Sequence, residues 1–190
     1  MELQVVEYNL AQDDSVSLQA APRIVYRIDE RDAEYGTGAV TLTGPAHLLS
    51  FELVAQSSPN AKLSARVQLD GEQLIRLDTV SFPPGGVAYL HVHRGPGIRV
   101  LLTGEIRVDT GGQSRSYGPL EAWFESGPVP VFAAASESVP TAFVRCMVLP
   151  AELTGKRSLR YVRDEDADKP KLQEYRIFVD EPLSDAPVAT

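Results

Sequence analysis

Apolar and polar positions in this chain fall into short runs separated by turn-forming residues, and most of the runs have strand rather than helix periodicity. RIVYRI (23–28) and HLLSFELVA (47–55) come first. KLSARVQL (62–69) alternates, and Asp70-Gly71-Glu72 is a hairpin-type turn into QLIRLDTVSF (73–82). Pro83-Pro84-Gly85-Gly86 breaks the chain before VAYLHVH (87–93), an Arg-Gly-Pro-Gly turn and IRVLLTGEIRV (98–108). After Asp109-Thr-Gly-Gly-Gln113 come EAWFE (121–125), VFAAAS (131–136) and TAFVRCMVL (141–149), which ends at Pro150. No stretch of ten residues between 47 and 150 repeats with a period of 3.6. Short strands at close spacing between Gly/Pro turns predict an all-β barrel or sandwich.

The last forty residues read differently. AELTGKRSLRYV (151–162) predicts a helical turn or loop followed by a strand, 163–171 a charged exposed loop, LQEYRIFV (172–179) a further strand, and 180–190 a frayed end. With 190 residues, 43% of them apolar, the chain is long enough to bury a substantial core. A net charge of −8 argues against nucleic acid as a partner, because there is no basic surface to displace counterions. The N-terminal stretch lacks the basic and apolar regions of a secretory leader, and no apolar run approaches the roughly 20 residues of a membrane helix. A cytoplasmic protein with no membrane partner is therefore expected. The single cysteine, Cys146, lies in an apolar run and reads as core.

HVHRGPGIRVLLTGE (91–105) carries the candidate chemistry. His91 and His93 are two apart, so on a strand both project from one face. The chain has only three histidines, and the other is His47. Gly85, five residues, His91-Val92-His93, three residues, Gly97, six residues, Gly104: this frame resembles the first motif of the cupin superfamily, with Gly97 where the family has a glutamate. YGPLEAWFESGPVP resembles the second motif from Gly118 to Gly127, with Pro130 or Phe132 near the place of the family's third histidine. The resemblance covers about 70 residues. It implies a cupin-type β-barrel (double-stranded β-helix, or jelly roll) within a single domain. The barrel core would lie at about 47–150, with N- and C-terminal extensions at 1–46 and 151–190. Such extensions add strands at the barrel edges or exchange with a partner, which implies a homodimer.

The same resemblance implies a divalent metal (Fe, Mn, Ni or Zn) at His91 and His93, or a metal-free polar pocket. Two imidazoles are an incomplete shell. Glu121 and Glu125, flanking Trp123, and His47 are the candidates to complete it. Arg99 points the same way as position 97, and its guanidinium suits an anionic or enolic substrate, or an internal carboxylate. Tyr89 shares the histidines' face by the two-residue rule and could act with them in proton transfer. Arg145 interrupts an apolar strand and faces the cavity or the edge. Phe132 and Trp123 are candidates to line an apolar pocket. The expected function is an enzyme acting on a small molecule inside the barrel, its reaction open among isomerase, cyclase, lyase and oxygenase chemistry. The alternative is a non-catalytic binding or sensing protein with a decayed metal site.

Overall fold

The computed structural model describes residues 1–183. They form seventeen strands: β1 (Glu2–Leu10), β2 (Ser15–Leu18), β3 (Arg23–Arg27), β4 (Asp32–Gly36), β5 (Val40–Thr43), β6 (Ala46–Val54), β7 (Leu63–Arg66), β8 (Gln73–Phe82), β9 (Val87–His93), β10 (Gly97–Thr103), β11 (Ile106–Thr110), β12 (Gln113–Tyr117), β13 (Ala122–Glu125), β14 (Val131–Ala135), β15 (Thr141–Pro150), β16 (Leu159–Tyr161) and β17 (Glu174–Leu183). Two single turns of 3₁₀ helix, Ala151–Leu153 and Asp164–Asp166, flank β16. No described helix is long and apolar enough to cross a membrane. Most of the 180–190 tail expected to fray lies outside the described residues.

Three five-stranded sheets result, with orders β4-β3-β6-β1-β7, β13-β10-β15-β8-β17 and β12-β11-β14-β9-β16. The last two face each other and enclose a cavity of about 110 Å³. The sheet containing β8, β10 and β15 is covered on both faces. Arg76, Asp78, Val80 and Phe82 of β8 line the cavity, while Ile75 and Leu77 pack into a core shared with Leu3, Tyr26, Leu49 and Phe51 of the N-terminal sheet. Burial on both faces explains why these strands read as near-continuous apolar runs.

Two expectations are corrected here, and one strand is added. The stretch 98–108 is two strands, β10 and β11, because Gly104 turns the chain at φ +77° in a place where a Cβ would lie 2.4 Å from the Thr141 hydroxyl. Residues 2–10, for which the pattern predicts no element, form β1. The N-terminal strands do not extend the barrel: β6 and β7, from the 47–150 stretch, pair with β1 to build a separate sheet against the barrel's outer face. The C-terminal strands do sit on the barrel, β17 beside β8 and β16 beside β9, each at the end of its sheet.

Candidate functional site

The site begins with β9. Its pairing with β14 shifts register, Val131 opposite His91 but Ala133 opposite Ala88, so β9 holds one extra residue between Ala88 and His91. The bulge resets the alternation of faces. Ala88, His91 and His93 point into the cavity and Tyr89 does not. Tyr89 was expected to stand with the histidines. Instead its ring lies under the Lys169 and Lys171 ammonium groups, at 5.0 and 5.7 Å. Its carbonyl oxygen is 2.7 Å from His91 Nδ1. That bond places the Nδ1 proton and leaves the Nε2 lone pair free.

His93 Nδ1 is 3.2 Å from the Ser158 hydroxyl, in the segment leading into β16. The two imidazoles stand edge to face, centroids 4.9 Å apart. Burial lowers the pKa of His91, and it holds that of His93 well below the ordinary imidazole value, with help from Arg145 and Arg99. Both rings are therefore neutral at physiological pH and can donate a lone pair.

The third group is Glu125. Its carboxylate and the two imidazoles offer ligand atoms within 4.8 Å of one another, and all three residues are buried. Glu125 enters through strand pairing: on the β10–β13 ladder it sits directly opposite Gly97. A side chain at 97 has no room, since a Cβ there would lie 2.6 Å from the Cys146 carbonyl oxygen and 2.7 Å from Met147 Cγ. The carboxylate missing from the first motif is thus supplied across the ladder. Trp123 donates Nε1–H to Glu125 Oε1 at 2.9 Å. Arg99 Nη2 lies 2.8 Å from Oε2, an ion-pair distance, yet neither atom has an aligned hydrogen bond. The charges attract, and Oε2 keeps a lone pair for another partner.

Arg99 is almost fully buried and also donates to the Gly97 carbonyl oxygen at 2.6 Å. Burial pushes its pKa down to about 10, with the Glu125 charge opposing the shift, so it remains a cation. Arg145 faces the cavity rather than an edge, held by Asp78 through two bonds of 2.9 Å, with Nη1 3.5 Å from His93 Nε2.

Three further candidates lie away from the cavity. Glu121 is exposed and accepts from the Gly118 amide at 2.6 Å, closing the turn before β13. His47 lies in the N-terminal sheet, its Nε2 2.7 Å from a Glu7 oxygen. Phe132 points out of β14, beneath the Arg107 guanidinium, because Val131 and Ala133 take the inward positions. Trp123 lines the cavity with Val80, Phe82 and Phe143, as expected of it. Asp78 and Ser158 also belong to the site, though neither stands out in the sequence. Both are buried polar residues within otherwise unremarkable stretches, and only the pairing of β8 with β15 and of β16 with β9 brings them to the site.

The donor set suits a divalent ion: two neutral imidazoles and one carboxylate oxygen with a free lone pair. His93 Nε2 and Glu125 Oε2 are 3.8 Å apart, near the roughly 3.4 Å expected of neighbouring ligands on bonds of about 2.1 Å. The opposing feature is charge, because Arg99 and Arg145 already stand beside the donors.

No family model and no curated protein matches this chain by sequence. Among solved structures, similarity is found to the cupin 2 conserved barrel domain protein of Leptotrichia buccalis (16% identity, TM-score 0.40, 76% of this chain and 89% of that one). It is found also to the polyketide cyclase RemF of Streptomyces resistomycificus (19%, TM-score 0.40, 52% and 69%) and to oxalate oxidase (20%, TM-score 0.36, 42% and 47%). The chain spans less than half of the oxalate oxidase. Two facing five-stranded sheets in the order described, with His91 and His93 on an inward strand between Gly85 and Gly97, give this chain an all-β fold of the double-sheet jelly-roll kind.

Proposed function

We propose that this protein is an enzyme acting on a small molecule in the barrel cavity, with His91, His93 and Glu125 holding a divalent metal ion. One observation carries the reading: two imidazoles and a carboxylate, all on buried residues, offer ligand atoms within 4.8 Å of one another, and Glu125 Oε2 has no aligned hydrogen bond there. Such an ion supplies Lewis-acid polarisation of an oxygen on the bound molecule. The protein's own groups do the rest. Tyr89 O and Ser158 Oγ fix the imidazole planes. Trp123 and Arg99 fix the carboxylate. Arg145, tied to Asp78, presents positive charge to the substrate. In a cavity without the ion, His91 Nε2 takes or returns a proton instead. Isomerase, cyclase, lyase and oxygenase chemistry all fit this equipment, and Fe, Mn, Ni and Zn all fit the donors.

The charges of Arg99 and Arg145 make the site a weak one until an anion completes the shell. The second reading, a metal-free binding protein, draws on Arg145 Nη1 at 3.5 Å from His93 Nε2, where a guanidinium occupies the lone pair that a metal would use.

Titration of chelator-stripped protein with Co²⁺, followed by visible absorption and metal analysis, tests the choice. One equivalent bound, and lost in His91→Ala/His93→Ala, is the expected result. No Co²⁺ bound at millimolar concentration would overturn the metal reading.

A further inference from the structure

The chain carries a net charge of −8, yet six cationic side chains line the cavity, Arg76, Arg99, Arg145, Lys156, Arg157 and Lys171, against two acids, Asp78 and Glu125. Pairing removes only part of the excess. Arg145 is matched by Asp78 and Arg99 by Glu125, and Arg76 is matched by Asp180 from outside the lining. The Lys171 ammonium group is bonded to the main-chain carbonyls of Asp166, Ala167 and Lys169 and lies 4.8 Å from the Tyr161 ring. Lys156 and Arg157 have no ion-pair partner among the described residues, and both are exposed at the cavity's rim.

The main chain that carries these two cations is anchored to the barrel. Arg76, 2% exposed, donates at 2.7 Å to the Lys156 and Leu153 carbonyl oxygens. The Asp180 carboxylate that pairs with Arg76 also accepts from the Gly155 amide at 2.6 Å. The next residue, Ser158, touches His93, and Leu159 pairs with His93 on the β9–β16 ladder. A buried guanidinium thus fixes the backbone of 153–156, and with it two unpaired cations adjoining the histidines. Beyond them the cavity wall is apolar, built from Val80, Phe82, Trp123, Val131 and Phe143. At about 10–15 Å³ per water, 110 Å³ is room for a molecule of about ten non-hydrogen atoms.

We infer that the ligand of this cavity is a small apolar molecule bearing one anionic head group, the apolar body against Trp123 and Phe143 and the head group at Lys156 and Arg157. The inference rests on the reading of the cavity as a small-molecule site, and it does not need the metal. Trp123 is the chain's only tryptophan and lines the cavity, so its fluorescence reports occupancy.

The experiment titrates the full chain with benzoate and with phenyl phosphate, each compared with the uncharged benzamide. Saturable quenching by at least one of the anions, with benzamide at least tenfold weaker, is expected. Raising salt from 0.05 to 0.5 M weakens the anion and not the amide, because the rim cations are solvent-exposed. Lys156→Ala/Arg157→Ala weakens the anion at least tenfold and leaves benzamide unchanged. Lys156→Gln/Arg157→Gln repeats the result with side-chain bulk retained. Benzamide binding as tightly as the anions, no binding by either anion, or undiminished anion binding in both double variants would overturn the inference. The Co²⁺ titration reads the metal independently, so loss of Co²⁺ binding with anion binding intact sinks only the metal reading.

Discussion

Replacing Glu125 by Gln should cost this protein more stability than its nearly isosteric shape suggests. Glu125 and Arg99 are buried together, with side chains 8% and 1% exposed. Both carboxylate oxygens face donors, Oε1 the Trp123 indole N–H and Oε2 the Arg99 guanidinium. Whichever way the amide of a glutamine is turned, its NH₂ meets an N–H and Arg99 loses its counter-charge. Breaking a buried pair from one side costs about 3–5 kcal/mol. At about 2–4 °C per kcal/mol for a chain of this size, the melting temperature should fall by ~6–20 °C. The assay is thermal unfolding by circular dichroism in chelator, so that metal linkage does not contribute. Arg99→Met/Glu125→Gln removes the stranded cation as well and should recover at least half the loss, a coupling that a double-mutant cycle measures. A Glu125→Gln protein that melts with the wild type, or a double variant less stable than the single one, would refute the ion-pair account.

Gly97→Ala should destabilise by about 1–3 kcal/mol, because its Cβ meets main chain at 2.6 Å, and denaturant unfolding checks it. Gly97→Glu, which restores a first-motif carboxylate, should be worse still and should not raise Co²⁺ affinity. The lowered pKa values of His91 and His93 mean that, below about pH 6.5, the unfolded chain binds protons that the native site refuses. Stability of the chelated protein should therefore hold above that pH and fall as pH drops through the window down to the native pKa values. His91→Ala/His93→Ala should flatten that part of the profile, and an unchanged profile would count against buried neutral imidazoles. Cys146 is fully buried, and burial pushes its thiol well above the ordinary range, so a disulfide reagent should leave it untouched until the protein is unfolded.

The all-β class was legible because strand-period runs between Gly and Pro turns need no tertiary information. The Gly85–His91–His93 frame was legible because a strand's alternation puts two histidines on one side. What escaped depended on partners. Tyr89 was misplaced because one extra residue in β9 is visible only in its register with β14. Phe132 was misplaced because alternation gives a strand two faces but not the phase that decides which is inward. Glu125 and Glu121 are equivalent in sequence about Trp123, and it was the turn at Gly118 that claimed Glu121. The N-terminal sheet was half seen because Leu3–Val6 are buried on both faces and show no alternation to read.

The pairing of Gly97 with Glu125 makes the ligand set a property of alignment rather than of any one segment. The imidazoles belong to β9 in one sheet and the carboxylate to β13 in the other, and β13 is a short end strand whose position is fixed by its ladder with β10. A slip of one residue there would turn Glu125 to the opposite face while leaving both histidines where they are. The convergence of these three side chains is thus a gauge of assembly: a barrel that has collapsed with β13 out of step keeps its cavity and its histidines but loses the point on which they close.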